Sequence, residues 1–450
     1  MSKKKLAILG GEPVIKGELP EAVKDMLKWP IYTKEDEDAA LEVIRNNSFS
    51  GVDIAEKLEA EFAAWNGTKY AVAYSSGTMA LAAAMFAIGL GKGDEIICPT
   101  KTYWASITQA ISFGATPVFC NVNDMLSMDP DDIERVISPK TKAIMVVHYV
   151  SYPCDMDRIM AIAKKHNLLV IEDVSHAQGG LYKGKKLGTF GDVSAMSLMS
   201  RKSFAAGELG MVVTDNTKMY ERAIAYGHHN RFNESNVTES EDLIPYYHMA
   251  LGGVKGRANQ LCCALARGQL KYYDERCKEI RKAMNYLWDL IEDLPGIKAI
   301  RVDESTGSTM AGFYAAAGRY IPEELHGLSV VTFVEAVNAE IGGGEDWVVD
   351  GVNFCLHTHE YFKTYDFDGS GKPSRIANAD RDVRELDKEL KKSEELMCFT
   401  VPWLKKYNKE WIEKIAGAIR TVIENHEELL AIDNGDKQGG HWYGNKLTKR

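Results

Sequence analysis

The chain has 450 residues, 45% hydrophobic and 26% charged, with a formal net charge of −10 that is spread along its length. That length supports a large core divided between two or three domains, and no basic face or aromatic-plus-arginine array suits it to nucleic acid. No run reaches the ~18 apolar residues of a membrane span, and the short apolar stretch after Lys5 lacks the length and cleavage site of a signal peptide.

The eight cysteines form no C-x-x-C pair, and several sit inside apolar runs such as I-I-C-P and P-V-F-C. That usage predicts reduced, buried thiols in a cytoplasmic protein, and no metal site.

Residues 1 to about 30 hold G-G-E-P-V and two further prolines. They read as an extended arm lying over something else, a partner subunit being one candidate. Amphipathic spacing predicts helices over Lys34 to Asn46 and Ile54 to Trp65, the second stopped by Asn66-Gly67. Tyr70 to Tyr74 then reads as a strand, Ser75 to Thr78 as a tight turn, and Met79 to Ile88 as an alanine-rich buried helix. A strand, an S-S-G-T turn and a helix place free backbone N–H groups and a helix dipole where a phosphate would bind.

Further strands follow at Glu95 to Pro99, Thr116 to Val122, Ala143 to His148 and Leu168 to Glu172, with helices at Tyr103 to Phe113 and Ile159 to His166. Near-continuous apolar strands between helices indicate a parallel sheet covered on both faces. No G-x-G-x-x-G follows the first strand, which counts against a dinucleotide-binding domain. The strand L-L-V-I-E-D ends in Asp173, at the carboxyl edge where open α/β sheets bind ligands. An acid there serves as a helix cap in many proteins. It equally suits a pyridinium nitrogen, whose proton its charge retains. His176, three residues on, is placed to stack on or bond to the same ring.

The stretch from Val193 to Asp215 organises the chain. A short alternating strand crosses a polar turn holding Lys202, passes A-A-G-E-L-G and re-enters a β-branched strand from Met211 to Thr214. An isolated lysine of this kind is usually solvated. Here its company points to an amine held near a cofactor, with glycines that let another backbone approach. Lys202 is therefore read as the Schiff-base lysine of a pyridoxal phosphate enzyme.

Beyond it come a helix from Met219 to Gly227 and a polar loop, G-H-H-N-R-F-N, whose two histidines have no further ligand at metal spacing. A long helix from Ala258 to about Leu290 joins the large domain to a small α+β one. The small domain's expected strands lie near Lys298 to Val302 and Thr309 to Ala317, and its last long helix at Lys409 to Glu428. Asp366 to Asn378 reads as a polar loop or lid, and the tail G-G-H-W-Y-G-N-K-L-T-K-R carries no decipherable motif.

Taken together, S-S-G-T-M-A-L, G-D-E-I-I-C-P, the D-M-D of Asp155 to Asp157, V-I-E-D-V-S-H-A, and G-D-V-S-A-M-S-L-M-S-R-K with G-E-L-G resemble the sugar aminotransferases of the DegT/DnrJ/EryC1/StrS type. The resemblance implies an α/β fold-type I architecture: a large, mostly parallel seven-stranded sheet domain and a smaller α+β C-terminal domain. The expected divisions are an arm (1–30), a cofactor domain (31–275) and a small domain (276–450). It implies pyridoxal 5'-phosphate as cofactor, glutamate or glutamine as amino donor, a keto sugar or keto-cyclitol as acceptor, and a homodimer with shared active sites.

Carried over by position, Lys202 is the cofactor's anchor and Asp173 the carboxylate on its ring nitrogen. His176 lies near its phenolic oxygen, and Tyr103 is the aromatic stacked on the ring. Gly77, Thr78 and Ser197 hold the phosphate. Many members place an asparagine two residues before an arginine, reaching the phosphate from the partner subunit; here the motif reads V-K-G-R and Lys255 stands there. G-E-L-G replaces the more usual G-E-G-G. The V-P-W-L-K-K ending resembles the inositol and aminocyclitol members. A sugar dehydratase relative would carry histidine in place of Lys202, and a non-catalytic homologue has no need of Lys202, Asp173 and Ser197 together.

Overall fold

Seven short apolar runs build the main sheet of the computed structural model, which describes residues 5–377, 381–435 and 440–441. They are β1 (Tyr70–Tyr74), β2 (Glu95–Pro99), β3 (Thr116–Cys120), β4 (Thr141–Val147), β5 (Leu169–Asp173), β6 (Val193–Ser197) and β7 (Gly210–Thr214), in the order β1-β7-β6-β5-β4-β2-β3. Strands β2 to β6 pair in parallel. β7 runs antiparallel to both neighbours, wedged between β1 and β6. The parallel strands therefore end on one edge, and that edge carries Asp173 and Ser197.

The helix Gly77–Ala87 packs on β6 and β7 through a face of small residues. Alanine suits it because it loses no side-chain entropy in a helix and lets the axis approach the sheet closely. The Ser76 hydroxyl caps the helix, accepting from the Met79 amide at 3.2 Å.

A second lobe holds an antiparallel sheet in the order Ile297–Ala299, Ala317–Tyr320, Cys398–Thr400, Val349–Asp350. Helices Val330–Ile341 and Lys409–Glu424 cover it. The helix Gln260–Asp289 serves both lobes. Cys263, Ala266, Tyr273 and Cys277 pack in a core beneath the main sheet. Ile280, Ala283, Met284, Leu287 and Trp288 belong to the second core.

Five expectations need correction. The arm is not extended throughout, since Glu21–Leu27 is a helix, and what it lies over is its own chain. Leu6, Ile15, Val23 and Met26 are buried in the second lobe's own core, and Val14 and Ile15 bond to the end of the Val330–Ile341 helix. Its prolines interrupt helix without preventing burial. The helix expected from Tyr103 to Phe113 is two short pieces, a 3-10 turn at Trp104–Ser106 and a helix at Thr108–Ser112, hinged at Ile107. The strand expected from Thr309 to Ala317 begins only at Ala317, because Ala311, Phe313 and Ala315 adopt left-handed φ of 46°, 49° and 54°. The expected polar loop or lid, whose Asn378 lies outside the described residues, is an exposed polar loop from Phe367 to Lys372, and its end at Ser374–Ala377 packs on the edge strand β3. There Arg375, fully buried, donates to the Pro117 carbonyl at 3.0 Å and to both oxygens of Asp387. The last long helix breaks after Glu424. Gly440–His441 pairs with Val352–Asn353, and the rest of the tail, from 442, lies outside the described residues.

Candidate active site

Alternation along β5 sends Glu172 and Asp173 to opposite faces. Glu172, fully buried, accepts from the amides of Gly188, Phe190 and Gly191 and faces His148, so it anchors the loop that returns to β6. Asp173 points to the sheet's functional edge. Its Oδ1 accepts from the Ser175 amide at 3.0 Å and its Oδ2 from the Ser106 hydroxyl at 2.7 Å. At 4% exposure, these two charge-assisted bonds are what make a buried carboxylate tolerable.

Lys202 sits in the turn between β6 and β7. Leu198 and Ser200 donate to Leu209 and Gly207 across the turn, and the Lys202 amide donates to Met199 at 2.8 Å. The Trp29 indole N–H holds the Lys202 carbonyl at 2.9 Å. The side chain is buried, and among the described residues Nζ makes no hydrogen bond or ion pair; its contact is the face of Tyr314, 4.3 Å from the ring centroid. Burial drives this amine down to about 7, with the Asp173 charge pulling the other way. A lysine so placed is substantially neutral near physiological pH, as a nucleophile or proton carrier requires.

His176 lies between two rings, stacked on Tyr149 (5.1 Å, 27°) and edge-on to Tyr314 (4.7 Å, 69°). Burial, then the Lys202 charge, pushes its pKa well below the usual histidine range. The Val150 amide donates to Nδ1 at 3.3 Å, so the neutral ring carries its proton on Nε2. Val150 and Ser151 hold left-handed φ of 48° and 69°, and the Ser151 hydroxyl bonds the His176 carbonyl at 2.5 Å. Such a strained pair persists only where surroundings over-determine it.

The predicted phosphate turn and Ser197 are in direct contact. A Cβ on Gly77 would lie 2.5 Å from the Ser197 Cβ, and one on Gly210 would lie 2.1 Å from the Ser76 carbonyl oxygen. Only glycine permits that approach. Thr78 and Ser197 stay partly exposed at the mouth of this cradle. Tyr103 is half-buried beside Trp104, and the Ser106 amide bonds the Tyr103 carbonyl at 3.1 Å, so one turn carries both Tyr103 and the partner of Asp173. Lys255 is exposed. The neighbouring Gly256 carbonyl accepts from the Ser75 amide at 2.8 Å, which ties this segment to the predicted phosphate turn.

Four positioning groups escaped the sequence. Ser106, Tyr314 and Trp29 lie far from their partners in the chain and carry no local signal. Gln178 stands just after V-S-H-A, and could have been suspected there. Its amide N–H groups donate to the Ser175 and Ser197 carbonyls, and its oxygen accepts from Ser203 at 2.8 Å.

This arrangement, a mostly parallel seven-stranded sheet with a buried lysine and carboxylate at its carboxyl edge, defines an α/β enzyme of the fold-type I transferase class. The chain belongs to the DegT/DnrJ/EryC1/StrS aminotransferase family, whose sequence profile matches residues 30–366. It is 41% identical to the GDP-perosamine synthase of Escherichia coli O157:H7 over 221 residues, 49% of this chain and 58% of that protein. It is 31% identical over 353 residues to the L-glutamine:2-deoxy-scyllo-inosose aminotransferase of Micromonospora echinospora, covering 75% of this chain and 80% of that one. Among solved structures, the aminotransferase from Psychrobacter cryohalolentis matches with a TM-score of 0.73 at 27% identity, over 89% of this chain and 99% of that one. The protein is an aminotransferase, and its relatives act in amino-sugar and aminocyclitol chemistry.

Proposed function

We propose that this enzyme uses pyridoxal 5'-phosphate to move an amino group from glutamate or glutamine to a keto sugar or keto-cyclitol. The observation that carries the reading is the Lys202 amine, buried, held near neutrality and placed under the influence of Asp173. The names of the relatives, a perosamine synthase and a glutamine-dependent inosose aminotransferase, support the substrate classes. When bound, the cofactor supplies an aldehyde carbon that accepts the amino group and a ring that withdraws electrons from it.

The residues present fit that group. The cradle at Gly77, Thr78 and Ser197 offers helix N-terminal amides and a hydroxyl to the phosphate. Asp173, fixed by Ser106, supplies the negative charge for a protonated ring nitrogen. With its Nε2–H, His176 would offer a donor to a ring oxygen of the bound cofactor, and Tyr103 would offer an aromatic face. Lys202 moves protons, its neutral amine taking one and returning it within a buried site.

A two-fold dimer sharing its sites belongs to the same reading. Ile244, Tyr246 and Met249 leave 48%, 54% and 69% of their surface exposed on the loop leading to Lys255, and both ring nitrogens of buried His228 lack partners among the described residues. Among those residues no helix is long and apolar enough to cross a membrane. All eight cysteines are unpaired thiols, which supports a cytoplasmic setting. Borohydride reduction of the loaded enzyme followed by peptide mapping tests the anchor. The expected label is on Lys202; a label on any other lysine refutes the assignment.

A further inference from the structure

Lys202 has one unusual neighbour. The Tyr314 ring lies 112 residues away in the chain yet faces Nζ at 4.3 Å, and its edge meets His176 at 4.7 Å. The loop that carries it is held against its own preferences, with Ala311, Phe313 and Ala315 in the left-handed region on either side. Non-glycine residues there cost energy, and a run of them marks a place that the surroundings specify.

Those surroundings are identifiable. The Trp403 indole N–H holds the Gly312 carbonyl at 2.8 Å, and the Ser151 hydroxyl holds the Tyr314 carbonyl at 3.1 Å. A Cβ on Gly312 would lie 2.3 Å from the Ser203 Cβ, so the loop presses on the residue next to Lys202. Trp403 stands perpendicular to Tyr314 at 5.8 Å and meets Trp29 at 5.8 Å, and Trp29 in turn holds the Lys202 carbonyl. Both ends of the contact, the lysine's backbone and the tyrosine's loop, are thus fastened by neighbouring tryptophans.

We infer that Tyr314 is a positioning residue for Lys202: its ring face holds the lysine's ammonium whenever the unengaged amine is protonated, keeping it aimed beside His176. A buried ammonium needs an electronegative partner. Among the described residues Nζ has no oxygen partner, and an aromatic face within about 6 Å supplies that attraction through its quadrupole. The face also limits how far the amine can swing, which a shuttle between two fixed atoms requires. The assignment rests on Lys202 being the reacting amine, but the amine's titration is measurable without cofactor or substrate.

The experiment is trace acetylation of the cofactor-free full-length protein with acetic anhydride across pH, read at the Lys202 peptide by mass spectrometry. Only the neutral amine reacts. Tyr314→Phe keeps the ring and should titrate with wild type. Tyr314→Leu removes the quadrupole and destabilises the ammonium, so its midpoint should fall, giving about threefold or more faster labelling at a fixed pH below the wild-type midpoint. If Tyr314→Leu does not fold, as judged by circular dichroism, Tyr314→Met makes the same comparison. A non-aromatic variant that titrates with Tyr314→Phe, or above it, overturns the inference. Failure of the borohydride mapping would leave this titration intact, so the two ideas fall separately.

Discussion

Removing the Ser106 hydroxyl tests whether Asp173 works as an oriented anion. Two protein donors hold this carboxylate among the described residues, the Ser175 amide at 3.0 Å and the Ser106 hydroxyl at 2.7 Å, and Ser106 is itself buried and within 3.2 Å of the Thr102 hydroxyl. A hydrogen bond to a charged group contributes about 1.5–3 kcal/mol. Ser106→Ala frees one oxygen of Asp173 to turn, and the carboxylate would no longer be fixed toward the ring nitrogen of the proposed cofactor. If most of that bond's energy is expressed in the transition state, kcat should fall about 10- to 100-fold, at about 1.36 kcal/mol per tenfold. The assay is the half-reaction with glutamine or glutamate at saturating cofactor, followed by the change in cofactor absorbance, which separates kcat from KM. Ser106→Cys, nearly isosteric but a weaker donor, should lie between. A folded Ser106→Ala enzyme with kcat within about threefold of wild type would falsify the role.

Burial that lowers the Lys202 pKa to about 7 has a cost in the cofactor-free state. Between pH ~7 and ~10.5 the unfolded chain binds the proton that the folded one has lost, so stability on this account rises with pH and is least below ~7. Lys202→Met should therefore stabilise the cofactor-free protein at pH 7, by on the order of 4 kcal/mol, and by progressively less toward pH 10; denaturant melts that show no gain contradict the burial argument. Gly77→Ala must separate two backbones, since the new Cβ would lie 2.5 Å from the Ser197 Cβ. Cofactor affinity, measured by absorbance titration, should drop on the order of 10-fold or more, and a drop under about threefold would count against the cradle. Mixing Lys202→Ala with Lys255→Ala chains should give heterodimers with one intact site of two. No recovery in heterodimers, with Lys255→Ala alone impaired, would place Lys255 within its own chain's site.

Much of this protein is legible along the chain because the signals are local. A strand, a small-residue turn and a helix are set by neighbouring residues, so β1, Ser75 to Thr78 and the Gly77–Ala87 helix follow from periodicity and capping. The same holds for Asp173 at the end of β5 and Lys202 between β6 and β7, since each lies next to the strand that positions it. What folding alone decides is who stands beside them. Ser106 meets Asp173 across 67 residues, and Trp29 meets Lys202 across 173. The residues of the arm read as extended because three prolines interrupt a stretch with little periodicity, but the apolar Leu6, Ile15, Val23 and Met26 find a core that exists only once the second lobe has formed. Likewise Thr309 to Ala316 reads as the start of a strand, yet bonds from Trp403 and Ser151 and the press of Gly312 on Ser203 impose left-handed turns no local propensity would choose. Short-range sterics select elements, whereas long-range packing selects the partners of a buried charge.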